Sequence, residues 1–143
     1  DLATINGVAE DDIATYNGIT ASDVTSVLGN TWQHVTYTTA TGGTITTDGD
    51  YKVHTFNSGG TFQVTSLGTE DTFTYLVIGS GAGGGGDQAG GGGAGAYRTA
   101  SSYSLSVASH AVTVGAGGSA GAQYGNGGAG NNSVISTITS NGG

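Results

Sequence analysis

The chain has 143 residues, 30 of them glycine, and contains no cysteine, methionine or proline. Without cysteine there is no disulfide framework and no thiolate metal site, and without proline or a G-X-Y period there is no collagen. Two cations, Lys52 and Arg98, face ten acids for a net charge of −8, which argues against a nucleic-acid groove and an anionic membrane surface, while no apolar run approaches the ~18 residues of a spanning helix.

Residues 1–31 carry a short repeat. Gly7, Gly18 and Gly29 fall at one phase of ATINGVAEDD (3–12), ATYNGITASD (14–23) and TSVLGNTW (25–32). Asn6-Gly7 and Asn17-Gly18 are strong turn dipeptides because both residue types tolerate positive φ. Asp12 and Asp23 fit as caps of one-turn helices such as 24–28, closed by Gly29. Units this short bury no core alone, so three in tandem suggest a segment packed against other copies or a partner surface. They read as an anchor whose repeat turns are Gly7, Gly18 and Gly29, the alternative being a loop-rich arm.

Residues 32–78 alternate as strands do. The expected strands are 32–39, 44–47, 51–56, 61–66 and 72–78, with turns at Gly42-Gly43, Asp48-Gly49-Asp50, 57–60 and 67–71. Pairing of 51–56 with 61–66 across Asn57-Ser58-Gly59-Gly60 is the expected central hairpin. The fold class is therefore all-β: an antiparallel β meander or sandwich of four or five strands.

Residues 79–143 alternate glycine blocks (79–95, 115–130, 141–143) with strand-like stretches at 96–108, 110–115 and 133–139. Asn141-Gly142-Gly143 reads as the start of a further block, so the polypeptide is expected to continue. Such blocks are either flexible linker or ordered backbone. The patterned strands between them and the scarcity of serine favour order, as side-by-side polyglycine-II helices joined by Cα–H···O and N–H···O contacts. Ordering glycine is entropically costly, so many contacts are required.

Gly79-Ser80-Gly81-Ala82-Gly83-Gly84 matches G-x-G-x-x-G after a strand. A dinucleotide loop needs a helix next and a ribose-binding acid about 20 residues on. Here more glycine follows, and no acid occurs after Asp87. The acids Glu10-Asp11-Asp12, Asp48/Asp50 and Glu70-Asp71 lack EF-hand spacing. His34, His54 and His110 lack zinc spacing, and no nucleophile elbow occurs. No catalytic, cofactor or metal residue is assigned, and the protein is read as a non-enzyme. The candidate contact surface is Tyr97, Tyr103 and Tyr124, low-entropy aromatics beside glycine. The alternative is that these tyrosines cap and pack the glycine region.

The motif order DYKVHTFNSGGTFQVTS, FTYLVIGSGAGGGG, GAYR and TVGAGG, at 50–66, 73–86, 95–98 and 113–118, resembles the glycine-rich module of tailed-bacteriophage virion proteins: tail fibres, adhesins and appendages. The Asn-Gly repeats resemble those near the start of similar proteins. The resemblance implies a structural subunit on the virion surface, an oligomer that is often a homotrimer, and no enzyme. The chain is expected to divide into an anchor at 1–31 that meets other virion proteins, a β module at 32–78 and a glycine-rich region at 79–143. Host attachment through a saccharide or protein receptor is the leading expectation, with neither nucleic-acid binding nor membrane insertion. A purely structural capsid decoration or head-fibre protein is the alternative.

Overall fold

The computed structural model describes residues 36–69 and 71–143 in full and, within the first 35, the backbone of six two-residue strands. The chain divides into two units, residues 1–35 and 36–143.

In the first unit, β1 (Thr4–Ile5) pairs with β2 (Val8–Ala9), β3 (Thr15–Tyr16) with β4 (Ile19–Thr20), and β5 (Ser26–Val27) with β6 (Asn30–Thr31), all antiparallel. Each repeat is thus one minimal ladder. Gly7, Gly18 and Gly29 fall between paired strands and lie outside the described residues, as do Asp12, Asp23, Trp32 and His34. The one-turn helix expected over 24–28 is corrected: Ser26–Val27 is extended and paired, as a β-branched valine favours.

In the second unit, Gly42-Gly43 separates β7 (Thr39–Thr41) from β8 (Thr44–Asp48). The latter pairs with β9 (Tyr51–Thr55) round Gly49-Asp50. β10 (Gly60–Ser66), β11 (Thr72–Ile78), β12 (Tyr97–Ser104), β13 (Ser109–Thr113), β14 (Ser133–Ile135) and β15 (Ile138–Ser140) follow. All described pairings are antiparallel, so the unit is all-β. A five-stranded sheet runs in the order β15-β14-β13-β10-β7, and β11 pairs with β12 as a separate ribbon.

This order corrects the sequential meander. β9 turns back on β8 through a two-residue connection, with Gly49 at φ 55°, so 51–56 does not pair with 61–66. Strand β10 instead takes β13 and β7 as neighbours. The strand expected over 32–39 is also displaced: residues 36–38 are not extended in a ladder, and β7 begins at Thr39. Thr36–Thr38 is held by side-chain and backbone bonds to Gly68 and Thr69, including Thr69 N–H to Thr36 O at 3.0 Å. The single strand expected over 133–139 is two, folded at Ser136-Thr137 with Ser136 at φ 52°.

The core lies on one face of β10. Phe62, Val64 and Leu105 are buried, with Ala40, Phe56, Phe73, Tyr103, Val112 and Ile135 packed around them. Phe62 meets His54, Phe56 and Phe73 edge-to-face at 5.0, 6.5 and 6.0 Å, the geometry that aromatic quadrupoles prefer. His54 Nδ1–H donates to Gly42 O at 2.8 Å, which ties the β8–β9 hairpin to the turn before it.

Strands lead directly into glycine segments: β11 into 79–86, β13 into 115–122 and β15 into 141–143, while 90–96 leads into β12 and 125–131 into β14. At this boundary the hydrogen-bond interval changes. A β ladder repeats every two residues. Beyond Ile78, Gly79, Ala82 and Gly85 N–H donate to Ala96, Gly93 and Gly90 O, and Ser80, Gly83 and Gly86 N–H donate to Asn131, Gly128 and Gly125 O. Gly118 and Gly121 N–H donate to Gly81 and Gly84 O. The interval is three throughout. Segment 79–86 is the hub, bonded on three sides.

Gly42 sits at φ 105°, and a Cβ there would overlap the Thr61 carbonyl; Gly49 has positive φ but open space. Gly42→Ala is expected to lower unfolding free energy by about 2–3 kcal/mol and Gly49→Ala by about 1 kcal/mol. Equal losses in chemical denaturation would contradict the steric account.

Candidate functional site

The glycine segments carry two loops at the end farthest from the sheet. Residues 87–89 (Asp87, Gln88, Ala89) join the first segment to the second, and Gln123 and Tyr124 join the third to the fourth. Gly85 N–H donates to Gly90 O at 2.9 Å and Gly125 N–H to Ala122 O at 2.8 Å, closing each turn. Gly86 N–H donates to Gly125 O at 2.9 Å, and Gly121 N–H to Gly84 O at 2.8 Å, so the two turns lie side by side.

Each turn holds one non-glycine residue in the left-handed region, Asp87 at φ 57° and Tyr124 at φ 58°. Such a conformation costs on the order of 1–2 kcal/mol for a residue such as tyrosine and less for aspartate, whose short polar side chain can hydrogen-bond locally. Glycine, abundant on either side, would relieve it, yet both positions keep a functional side chain. Strain retained at a tip is a reason to look for function there. Asp87, Gln88, Gln123 and Tyr124 are exposed, and Tyr124 is 78% accessible. The tip thus offers one aromatic ring, one carboxylate and two amides on a backbone scaffold, a set suited to hydrogen bonding and ring stacking with a polar ligand.

The three tyrosines of the sequence reading are not brought together. Tyr124 is at the tip. Tyr97 opens β12 opposite Ile78, at the sheet end, and is 66% exposed. Tyr103 meets Tyr75 edge-to-face at 5.4 Å and bonds Thr137 Oγ1 through its hydroxyl at 3.2 Å, so it packs the ribbon onto the β14–β15 turn. Asp87, Gln88 and Gln123 share the tip with Tyr124 and are not among the residues the sequence reading singled out. Their signal was visible: with Tyr124 and Asn126 they are the large polar side chains interrupting the glycine blocks.

Elsewhere, a cleft of about 480 Å³ lies between Gly42–Thr44 and Thr55–Thr61, with Phe56, Asn57 and Ser58 in its wall. No carboxylate, histidine or lysine lines it, so it lacks acid–base chemistry. His110 Nε2 bonds Ser106 O at 3.0 Å within the fold. Asp48 ends β8 and Asp50 lies in the β8–β9 turn, and Glu70 lies outside the described residues. Among the described residues no three acid or histidine side chains converge to hold a metal. After Gly84 no helix follows. Gly85 and Gly86 continue the three-residue pattern, and within the G-x-G-x-x-G run the N–H groups of Gly79, Ser80, Ala82 and Gly83 are bonded to other glycine segments.

A family model described as a glycine-rich domain matches residues 55–143, more than half of the chain. The chain belongs to that family. No curated protein and no solved structure gives a significant match. The matched span takes in β10 to β15 and all five glycine segments.

The array makes position-specific demands. A Cβ on Gly83 would overlap Ser119 O, whereas one on Gly91 meets nothing within 4 Å. Gly83→Ala should destabilise by about 2–3 kcal/mol through overpacking, and Gly91→Ala should be neutral or stabilising by up to about 1 kcal/mol. Thermal unfolding of the two variants distinguishes an ordered array from a linker, in which both changes would be silent.

Proposed function

We propose that this chain is a non-enzymatic subunit exposed on a tailed-phage particle. In this reading its glycine segments are packed polyglycine-II-type helices that carry the 87–89 and 123–124 loops toward a host surface. The observation that carries the reading is the three-residue hydrogen-bond interval about segment 79–86. Three residues per turn is the repeat of a polyproline-II-type helix, and its rise of ~3.1 Å per residue makes eight residues about 25 Å long. Such a helix has no internal hydrogen bonds. Its N–H and C=O groups turn outward to neighbouring segments or to water, and glycine is what lets neighbours approach.

A shaft of this kind is stiff because its contacts are numerous and its side chains absent. It presents two polar loops at its end. That arrangement suits surface recognition, where tyrosine contributes area at low entropic cost. The motif order described above supports a virion setting, and the three short ladders of residues 1–31 fit an anchor to other virion proteins. Large apolar side chains on the outer face of the β11–β12 ribbon, Leu76, Ile78 and Tyr97, are 56–66% exposed. That feature favours association with further copies, as in a homotrimer, and equally suits the second reading, a capsid decoration or head-fibre protein.

The test is adsorption. Purified chain should bind host cells and compete with the phage. Tyr124→Ala should weaken binding by about 30-fold, the effect of losing one aromatic hot spot, with no change in melting temperature. Undiminished binding by both Tyr124→Ala and Asp87→Ala would reject the tip as the contact surface. Particle density that places the loops against the capsid shell would favour decoration.

A further inference from the structure

Asn141–Gly143 lies in a groove walled by three other glycine segments. Ala96 N–H donates to Asn141 O at 2.7 Å from the 90–96 wall. Gly130 N–H donates to Gly143 O at 2.8 Å from the 125–131 wall, and Gly143 N–H donates to Ser80 O at 2.8 Å on the floor. One step of three residues further along, the same groups recur. The corresponding wall donors are Gly93 N–H and Gly127 N–H, and the floor acceptor is Gly83 O. None of the three has a hydrogen-bond partner among the described residues. The shape repeats as well. Cβ atoms built on Gly130 and Gly95 would overlap Ser80 O, and those built on Gly127 and Gly92 would overlap Gly83 O. A Cβ on Gly93 would enter open space.

We propose that this groove is a docking site for a further glycine strand, running parallel to residues 79–86 in line with Asn141–Gly143. The groove also sets the sequence it accepts. A Cβ on Gly142 would overlap Gly130 O, and one on Gly143 would press on Gly93 O, whereas Asn141 carries an exposed side chain. Carried forward by three, the occupant has the pattern x-Gly-Gly, tolerant at one position in three and restricted to glycine at the other two. Its second glycine donates to Gly83 O and accepts from Gly127 N–H, and its first residue accepts from Gly93 N–H. Strand addition of this kind is recognition through main-chain hydrogen bonds, as in β-augmentation, with a repeat of three in place of two. The inference rests on the packing of the glycine segments and stands apart from host attachment, so a failed adsorption assay leaves it intact.

The experiment extends the full chain after Gly143 with Ser-Gly-Gly-Ser-Gly-Gly or, as the matched variant, Ser-Ala-Ala-Ser-Ala-Ala, and follows amide hydrogen exchange residue by residue. The glycine extension is expected to slow exchange at Gly93 and Gly127 by at least about tenfold. Val64 N–H, already bonded to Ala108 O in the core, should be unchanged, and the alanine extension should leave Gly93 and Gly127 as they are in the parent chain. No slowing with the glycine extension, equal slowing with both, or slowing that includes Val64 would overturn the proposal. Protection in the parent chain that rises with protein concentration would assign the groove to a neighbouring copy and overturn the in-line strand.

Discussion

Everything distal to the sheet depends on the hydrogen-bond interval of three around residues 79–86. A backbone with that repeat points successive N–H and C=O groups in three directions, so one segment can serve three neighbours at once. Segment 79–86 donates N–H groups to 90–96 and 125–131 and accepts through the Gly81 and Gly84 carbonyls from 115–122. Side chains facing those directions would hold the segments apart, which is why glycine dominates and why the larger exceptions, Asn126 and Asn131, are exposed. Ser80 is an exception that contributes: its hydroxyl lies 2.7 Å from both the Ala116 and Asn131 carbonyls, bridging two neighbours. The entropic cost of ordering so much glycine is high. It is offset by a dense array of backbone bonds, supplemented by Cα–H···O approaches, rather than by apolar burial.

Such segments have no way to choose partners by side-chain pattern, so something else sets their register. The sheet does this. Each glycine segment adjoins a strand whose pairing is fixed by burial, and the strands enter the array already aligned. The last ladder pair, Ile78 with Tyr97, is followed by Gly79 N–H to Ala96 O. Buried serines seal the junction: Ser140 Oγ donates to Ala96 O at 2.7 Å, and Gly115 N–H donates to Ser133 Oγ at 3.0 Å. The sheet's own alignment rests on Phe62 and its three ring neighbours, so a small aromatic cluster governs a much larger side-chain-poor region.

The parts of the fold legible in sequence are those decided locally. Thr72–Ile78 alternates cleanly, with Phe73, Tyr75 and Val77 half-buried and the residues between them exposed. The all-β class follows from such stretches. What escaped is what depends on competition between turns. Gly49-Asp50 and Asn57–Gly60 are both credible hairpin turns, and local chemistry does not say which one closes. The choice falls to Phe62 and Val64, which need neighbours on both edges of β10 and draw β13 from nearly fifty residues away. Of the candidate contact residues, the exposed position of Tyr124 was legible because an aromatic interrupting glycine has little to pack against. Tyr103 was not separable from it, since its packing on Tyr75 arises only after β11 and β12 have paired. The adjacency of 87–89 to 123–124 was hidden for the same reason: it follows from an interval of three that no side chain announces.

The backbone character of the array has an evolutionary consequence. In an ordinary core, changing a surface loop disturbs the side chains packed beneath it, and stability and recognition drift together. Here the residues beneath the tip are fastened through amides and carbonyls common to all amino acids. Substitutions at Asp87, Gln88, Gln123 or Tyr124 therefore leave the fastening intact. Selection can explore new surface chemistry at the tip without a matching repair inside, a separation of mutable from immutable positions.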